Sequence, residues 1–555
     1  MIDRPEVLLL ATIFLPALET VWIALVAGRS KDGARQSALV TTLVTFAMAA
    51  VLLAHYDDSV EPYAGGAIDW IGRTSNINIQ LSIGLDGLSL WLFGLSALLS
   101  ITSVLVSWES IQEKPGTFYA LLLLLETGML GVFCARDIIL FYIFFEFTLI
   151  PLFFLIGIWG SEDRRYAAGK FFLYTLAGSL LTFLGLMTIV LCVYVKTQVL
   201  TFSIAALTDA FTANPLPAWL ERGIFLALFA GFAIKVPLFP FHTWLPLAHV
   251  QAPTAGSVIL AGILLKIGTY GFLRFSMPML PDATAFFAPW MLGLAVVGII
   301  YGALVALAQS DMKRLIAYSS VSHLGFCMLG LFAFNKPAMQ GAVLQMINHG
   351  LSTGGLFALV GMIYERYHTR EISHLGGLAR TLPVLSFFLV LFTFSSIGLP
   401  GLNGFAGEFP VLLGMFQRAW LGVPPHLALA YKTMAVLSVF GVVLGAWYML
   451  WLVERVLFGP VHAAAHGHGG AHHAKVPDMK LREFFALAPL AVLLFWIGLA
   501  PGMFFDRMNP AVDRIVQTTS RAFEQREHAI AKSPPTVPSA SGLARASRGG
   551  GPRVD

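Results

Sequence analysis

Long apolar stretches recur along the whole chain and are separated by short polar connections. A helix crosses a bilayer core about 30 Å thick with about 20 consecutive apolar residues. The sequence therefore predicts an all-α integral membrane protein with about fourteen transmembrane helices. The predicted spans lie near residues 7–28, 37–54, 84–107, 118–134, 137–159, 170–195, 222–248, 254–275, 287–308, 315–334, 339–364, 383–416, 431–457 and 484–504.

Two segments outside these spans have a different pattern. Polar and apolar residues alternate over 76–83, which predicts a half-buried strand, and residues 67–71 could form its partner in a small hairpin on the outer surface. We assign residues 1–505 to the membrane domain and residues 506–555 to a basic C-terminal tail. In this tail, Met508 to Phe523 predicts a short helix on the membrane surface, and the end beyond Lys532 has a composition typical of disorder.

The composition supports a membrane protein and excludes several other classes. The chain has 555 residues, of which 57% are hydrophobic and only 12% charged, whereas soluble domains have about 45–50% and 25%. A net charge of +4, with much of the basic excess in the tail, gives no support for nucleic-acid binding. Cys134, Cys192 and Cys327 are too far apart for a zinc or iron–sulfur site and are interpreted as core residues.

The basic residues predict an orientation in the membrane. Most lysines and arginines between the spans lie in the odd-numbered connections, beginning with Arg29, Lys31 and Arg35. The positive-inside rule makes these connections cytoplasmic. With an even number of spans, both termini are then expected on the outer, periplasmic side. Five histidines in the Ala/Gly-rich segment 462–473 fit a flexible loop that binds metal adventitiously better than a physiological metal site.

Several ionisable residues fall inside the predicted spans. A charged side chain at the centre of a membrane helix costs about 2.5–3.5 kcal/mol on insertion scales, so such residues normally face the protein interior and have partners. A single buried pair could serve structure alone, but a set that recurs across consecutive spans favours proton conduction. The candidate residues are Glu146, Lys235, Lys266, His323, His349 and Glu408, with Glu126 as a further candidate.

The chemistry of these residue types suggests separate roles. Burial disfavours the charged form of a lysine, and a nearby carboxylate favours it, so a moving carboxylate loads or unloads the proton. Glu146 and Lys235 are the predicted switch. Lys266, His323 and His349 are the predicted lateral relay, since the unperturbed pKa of histidine, about 6.5, is close to physiological pH.

Helix breakers lie directly beside two of these charges. Pro237, Pro240 and Pro246 follow Lys235, whereas Pro400 and Gly401 precede Glu408. Proline removes a backbone donor and clashes with the preceding turn. The sequence therefore predicts discontinuous helices near 235–246 and 398–408. Matching interruptions in two halves of a chain are typical of transporters built from inverted repeats, with the ion site at the break.

Several ordered motifs between about residues 80 and 500 resemble one known family. They include IGLDGLSL from Ile83, HTWLP from His242, APTAGS from Ala252, SDMKRLIAYSSVSHLG from Ser310 and NHG from Asn348. On these residues, and on the segments around Glu146 and Lys235, the chain resembles the antiporter-like subunits of complex I, the proton-pumping NADH:quinone oxidoreductase.

The resemblance implies two inverted five-helix repeats, with spans 4–8 near 118–275 and spans 9–13 near 287–457. It makes Glu146 and Lys235 the coupling pair, and it makes Lys266 and the two histidines the connection between the half-channels. It also puts Glu408 in the second broken helix. The sibling subunits usually have lysine at this last position and, in one case, a long lateral helix after the final span. Glu408 and the absence of such a helix after Pro501 distinguish this chain from those siblings.

The resemblance also implies partners. No glycine-rich phosphate loop, cysteine cluster or haem ligand pair occurs in the sequence. NADH, FMN, iron–sulfur clusters and quinone are therefore expected on partner subunits, and this chain is expected to be a translocase subunit without a redox site. The expected neighbours are other membrane subunits of complex I, with the antiporter-like subunits L and N on either side, in a bacterial inner membrane.

Two other classes of function remain open from the sequence. A subunit of a multi-protein sodium/proton antiporter or of a membrane-bound hydrogenase would share these motifs. A non-conducting scaffold that only joins its neighbours is the second alternative. The scaffold alternative predicts that neutralising Glu146, Lys235 and Glu408 together leaves proton translocation unchanged.

Overall fold

A computed structural model describes residues 4–71, 77–460 and 476–532. The histidine-rich segment 462–473 and the chain beyond Lys532, for which disorder was expected, lie outside the described residues. Within the described ranges, eleven helices are long and apolar enough to cross a membrane. Nearly all remaining elements are shorter helices, so the predicted all-α fold class is confirmed.

The first half of the chain contains ten helices and three short strands within the described residues. They are α1 (Pro5–Leu25), α2 (Lys31–Ala54), β1 (Tyr63–Ile71), β2 (Ile77–Leu85), α3 (Leu90–Val106), α4 (Pro115–Cys134), α5 (Ile138–Phe147), α6 (Leu149–Trp159), α7 (Arg164–Thr197), β3 (Leu200–Thr201), α8 (Ile204–Ala213), α9 (Ala218–Lys235) and α10 (Trp244–Gln251).

The second half begins with α11 (Thr254–Met279), in which π-helical segments at Leu260–Leu264 and Phe272–Ser276 interrupt the α-helix. The following helices are α12 (Pro281–Leu307), α13 (Met312–Phe332), α14 (Lys336–Tyr367), α15 (Leu378–Thr381), α16 (Pro383–Ser396), α17 (Asn403–Leu421), α18 (Pro425–Leu457), α19 (Leu481–Leu499) and α20 (Gly502–Lys532).

Each of the fourteen predicted spans corresponds to a helix or to a pair of helices. Eleven of them are single helices, and the fifth is the nearly continuous pair α5 and α6. The seventh and twelfth spans are each split into two helices, α9 with α10 and α16 with α17. In both cases the break falls in the fourth span of the predicted repeat. This matching position agrees with two repeats of five helices, although their inverted relation stays a prediction.

The predicted hairpin is present. Strand β1 pairs antiparallel with β2, and the pairs Ile68 with Leu81 and Asp69 with Gln80 set the register. The Gln80 side chain donates to Asp69 across the hairpin at 2.9 Å. Strand β3 adds a short parallel edge to β2. This third strand satisfies backbone groups that would otherwise be left unpaired.

The C-terminal helix is longer than the sequence predicted. The predicted boundaries were Met508 and Phe523, but α20 runs from Gly502 to Lys532 and passes through Pro510. Its buried positions recur every three or four residues along this length, which is the pattern of a helix with one apolar face against the protein. They are Phe504, Met508, Ala511, Val512, Ile515, Thr519, Ala522 and Phe523.

Helix α20 lies across the ends of several membrane helices. Asp513 pairs with Lys336, the first residue of α14, at 2.8 Å, and Glu527 pairs with His426 near the start of α18 at 3.2 Å. Arg514 pairs with Glu61, just before β1. The hairpin and α20 therefore lie on the same side of the molecule, at the even-numbered connections between the spans.

Candidate functional site

In the first broken span, the break comes directly after a charged residue. Helix α9 ends at Lys235, the chain then runs irregularly through Pro237 and Pro240, and α10 begins at Trp244. The indole of Trp244 donates to the Ile234 carbonyl at 3.0 Å, so one of the carbonyls freed by the break has a partner. The predicted break next to Lys235 is present.

Pro246 is not part of that break, contrary to the prediction. It lies in the first turn of α10, where the backbone N–H of a residue has no partner within the helix. A proline at this position therefore causes no loss of a hydrogen bond. Pro246 therefore lies within the second half of the broken span, near its start, and does not interrupt it.

In the second broken span, the break comes before the charged residue Glu408. Helix α16 ends at Ser396 and α17 begins at Asn403. Gly398 and Gly401 have φ values of +73° and +92°, which side chains with a Cβ rarely adopt. A Cβ at Gly398 would lie 3.0 Å from Oε2 of Glu408. The glycine therefore allows both the turn and the close approach of the carboxylate.

Four of the predicted site residues form a chain of contacts across four helices. The Nζ atom of Lys266 on α11 lies 2.6 Å from Nδ1 of His349 on α14. The rings of His349 and His323, on α13, have centroids 5.7 Å apart. Nδ1 of His323 lies 3.0 Å from Oε1 of Glu408 on α17. All four side chains are buried.

Small residues bring these helices together. A Cβ at Gly350 of α14 would lie 2.7 Å from the carbonyl oxygen of Gly262 in α11, so this backbone contact depends on glycine. Gly262 lies in the first π-helical segment, just before Lys266. Such π-helical turns are frequent at functional sites. The Nζ atom of Lys266 also donates to the carbonyl of Ala261 in the same segment.

Polar side chains surround the chain of contacts. Gln345 donates to Oε1 of Glu408 at 2.9 Å. On the other side of the His323 ring, Nε2 lies 3.2 Å from the Ser396 hydroxyl and 3.4 Å from the Tyr448 hydroxyl. His323, Gln345, His349 and Ser396 also line a cavity of about 10 Å³. A polar space of this size is near the minimum for one water molecule.

Glu146 and Lys235 are arranged differently. The Nζ atom of Lys235 lies 4.3 Å from the centre of the Phe145 ring, in cation–π contact. Glu146, the next residue on α5, is partly buried and interacts electrostatically with Lys235, with Ser179 nearby. The two charged groups do not form a direct hydrogen bond. Close backbone packing connects this region to the helix of Lys266. A Cβ at Gly268 of α11 would lie 2.8 Å from the backbone nitrogen of Val236, the residue after Lys235.

Glu126 does not join the other predicted residues. It is fully buried on α4, with Ser100 of α3 nearby. Neither carboxylate oxygen makes a hydrogen bond to the part of the chain that the structure describes. The structure therefore brings together four of the seven candidates, places Glu146 beside Lys235, and leaves Glu126 apart.

Sequence reasoning missed a second cluster of buried charges. Asp86, between β2 and α3, accepts two hydrogen bonds from Arg274, at 2.6 and 2.9 Å, and one from Arg136 at 3.0 Å. Burial opposes the charged form of Asp86, but Arg136 and Arg274 hold the pKa of this carboxyl well below its ordinary value. Arg274 also donates to the Tyr270 hydroxyl at 3.0 Å. Asp86 was noticed only as part of a family motif.

Two basic residues at the ends of membrane helices have buried side chains. Lys313, the second residue of α13, donates to the Ala252 carbonyl at 2.6 Å. Arg366, near the end of α14, forms a bidentate pair with Glu483 at 2.6 and 3.0 Å. Both lie at helix ends, where a sequence pattern does not distinguish a side chain turned inward from one in water.

His249 is another residue that the prediction passed over. It is fully buried on α10, and its ring stacks on Phe357 with centroids 4.4 Å apart. Lys266 and Lys313 are both within electrostatic range of it. Its position in a helix of only eight residues, after the break, could have marked it. In the described ranges, no group of three or more His, Cys, Asp or Glu side chains could hold a metal ion.

A multi-spanning helical protein with two broken helices and a chain of buried ionisable side chains is of the class of membrane ion transporters. The chain belongs to the family described as NADH:quinone oxidoreductase/Mrp antiporter, TM, whose match covers residues 135–451. Within this family, it is 40% identical to NADH-quinone oxidoreductase subunit M of Rhodobacter capsulatus over 524 residues, which is 91% of this chain and 95% of that protein.

Solved structures show the same fold. A chain of respiratory complex I from Thermus thermophilus with bound NADH superimposes with a TM-score of 0.77 at 31% identity, covering 92% of this chain and 99% of that one. A chain of the Mrp complex from Dietzia sp. DQ12-45-1b matches with a TM-score of 0.75 at 23% identity, covering 93% of this chain and 52% of that one. The second likeness concerns the fold alone.

Proposed function

We propose that this chain is the antiporter-like subunit M of a bacterial NADH:quinone oxidoreductase and translocates protons across the inner membrane. The similarity to subunit M of Rhodobacter capsulatus along 91% of this chain supports the assignment to this subunit. The redox cofactors and quinone then belong to other subunits, and the antiporter-like subunits L and N are the expected neighbours. The work of this chain is transport, driven by electron transfer elsewhere in the assembly.

One observation carries the proposal of proton transfer. Lys266, His349, His323 and Glu408 form a chain of near contacts through the buried centre of the protein. Amine, imidazole and carboxyl groups each bind and release protons, and their contacts are short enough for transfer directly or through one water. A proton on Lys266 can therefore reach Glu408 by way of the two histidines.

Glu146 and Lys235 form the switch in this proposal. Lys235 is stabilised as a cation by Glu146 and by the Phe145 ring. A shift of Glu146 weakens that stabilisation and releases the proton towards Lys266. The region between Lys235 and Lys266 is packed closely around Gly268, so transfer requires a rearrangement. This gate matters, because one charge crossing a membrane potential of 100 mV changes free energy by about 2.3 kcal/mol, and an open path would leak.

A pair of alanine variants tests the switch. In Lys235→Ala and Glu146→Ala, we expect proton pumping per NADH oxidised to fall by about ten-fold or more, since a ten-fold change needs only about 1.4 kcal/mol of lost charge–charge interaction. The measurement is acidification of vesicles that contain the assembled complex. Lys336→Ala is the control, because Lys336 is 44% exposed in a surface pair. Normal pumping by a fully assembled Lys235→Ala variant would contradict the proposal.

Two alternatives give other results in the same vesicles. The fold shared with the Mrp complex keeps cation exchange as a second candidate, and that function predicts pumping that depends on sodium concentration. The scaffold alternative predicts normal pumping when Glu146, Lys235 and Glu408 are neutralised together. The proposal predicts sodium-independent pumping in the parent protein and none in the triple variant.

A further inference from the structure

An apolar groove opens between four membrane helices away from the chain of ionisable residues. It has a volume of about 490 Å³ and lies between α2, α3, α14 and α19. Its walls include Phe46, Ala50, Leu98, Leu351 and Leu493. This volume is in the range of pockets that hold small molecules. The residues that line this groove take no part in the proposed proton transfer.

One end of the groove carries a cation. Arg507, in the second turn of α20, lines this end and lies with its guanidinium 5.4 Å from the Trp91 ring centre. Its Nη1 atom donates to the Leu53 carbonyl at 2.6 Å. Among the described residues, no carboxylate lies within 4.0 Å of it. A guanidinium has five N–H donors, so donors remain for an anion, and its planar shape suits phosphate.

The position of Arg507 relative to the membrane helices indicates the depth of its charge in the membrane. It follows the end of α19, the last span, by eight residues, at the same side as the hairpin. Trp496 lies close to this level and is 45% exposed. Tryptophan is enriched at the membrane–water interface. The cation is therefore at headgroup depth, whereas Leu98 and Leu493 extend the groove into the hydrocarbon region.

We propose that this groove binds an anionic phospholipid, with its phosphate on Arg507 and an acyl chain between α2, α3, α14 and α19. A single cation at the interface above an apolar channel matches the polarity of such a lipid, since both have one charged end and one apolar end. An apolar helix from a neighbouring subunit would cover the apolar walls but would supply no anion to Arg507. This inference is independent of the proposed proton transfer.

Photochemical labelling of the assembled complex tests the headgroup contact. The complex is reconstituted in vesicles of phosphatidylglycerol and phosphatidylcholine that contain phosphatidylglycerol with a photoreactive group in its acyl chain. We expect labelling of the peptide that contains Ala50 or of the peptide that contains Leu98. Arg507→Gln should reduce it about five-fold, as expected for one cation near an anionic lipid. Arg521→Gln, an exposed arginine on the same helix, is the matched control and should change nothing.

A second pair of variants tests the acyl-chain contact. Ala50 is exposed and lines the groove, so Ala50→Phe fills part of it without touching Arg507. Labelling should fall in this variant and not in Ala47→Phe, which alters an exposed residue of α2 outside the groove lining.

Three results would overturn the inference. They are equal labelling by a phosphatidylcholine probe, labelling that is insensitive to Arg507→Gln, and a groove that is cross-linked to another subunit and unlabelled by lipid.

Discussion

The protein contains two clusters of buried charge that differ in the groups they use. The first, which we call the outer cluster, consists of Asp86, Arg136 and Arg274, and Asp86 accepts three hydrogen bonds from the two arginines. In the central chain, Lys266, His349, His323 and Glu408 contact each other in sequence, and no arginine takes part. Both clusters are expensive to bury, so burial alone does not separate a structural role from a transport role.

The difference lies in the ability to exchange protons. Arginine keeps its proton in proteins, and a carboxylate held by two guanidiniums stays ionised. The outer cluster therefore has a fixed charge and connects β2, α4 and α11. Lysine, histidine and glutamate can all change protonation state, and each member of the central chain faces another such group. The residue types thus indicate a structural role for the first cluster and proton transfer for the second.

The largest effect that we expect is on stability, at the outer cluster. Asp86→Asn leaves the buried guanidinium of Arg274 and the partly buried guanidinium of Arg136 without a carboxylate, and loss of one partner of a buried pair typically costs about 3–5 kcal/mol. Thermal unfolding of the purified protein in detergent measures this change. Asp513→Asn is the control, because that carboxylate is 41% exposed and pairs with Lys336 at the surface, where a pair contributes at most about 1 kcal/mol. Assembled Asp86→Asn complexes should still pump protons at the normal ratio.

The pH dependence of the same variant checks the assignment. Because the folded-state pKa of Asp86 lies below its unfolded value of about 3.9, the stabilisation is fully present above that value and disappears as the pH falls through the folded pKa. The difference in stability between the parent protein and Asp86→Asn should be constant from about pH 7 to 5 and should narrow only below about pH 4. A difference that disappears already near pH 6 would contradict this structural role.

The contrast between the two clusters also explains what could be predicted from the sequence. Lys266, His323, His349 and Glu408 are recognisable because each lies within an apolar span, where a charge is unexpected. The breaks near Lys235 and Glu408 are recognisable because proline and glycine act locally. These signals need only neighbouring residues.

Other features depend on residues that are distant in sequence. Asp86 and Arg274 are 188 positions apart, and each lies near the end of an element, where a charge is ordinary. The π-helical segments beside Lys266 contain no proline that would mark an interruption, and the first of them packs against α14, which is distant in sequence, through Gly262. The end of α20 could not be assigned from periodicity, because its turns after Phe523 have no buried apolar position.

The second prediction removes the charge at the start of the central chain. Lys266→Met replaces a fully buried lysine with an apolar side chain of similar length. We expect pumping per NADH oxidised to fall by about ten-fold or more, whereas stability should change little, since replacement of a buried charge by an apolar group is often neutral. Lys336→Met is the matched control. A large loss of stability with normal pumping in the assembled fraction would make Lys266 a structural residue like Asp86.

The third prediction compares the two glutamates. Glu408→Asp withdraws the carboxylate by one methylene from His323 and Gln345, which it contacts directly. Loss of hydrogen bonds to a charged group should reduce pumping about ten-fold. Glu146 acts on Lys235 without a direct hydrogen bond, and Coulomb energy changes gradually with distance, so Glu146→Asp should lower pumping by only about two-fold. Equal losses of pumping in the two variants would contradict the distinction between direct hydrogen bonding by Glu408 and longer-range electrostatic interaction by Glu146.

The smallest effect should come from the hydroxyl groups that orient the relay. Tyr448→Phe removes one partner of His323 Nε2 at 3.4 Å but leaves the Ser396 hydroxyl at 3.2 Å. A neutral hydrogen bond contributes about 0.5–1.5 kcal/mol, and the remaining partner offsets part of it, so pumping should fall by about two- to three-fold. Tyr431→Phe is the control on the same helix, since its buried hydroxyl makes no hydrogen bond to the described residues. If both variants pump alike, proton transfer through His323 does not depend on how its ring is held, and the relay needs only the ring itself.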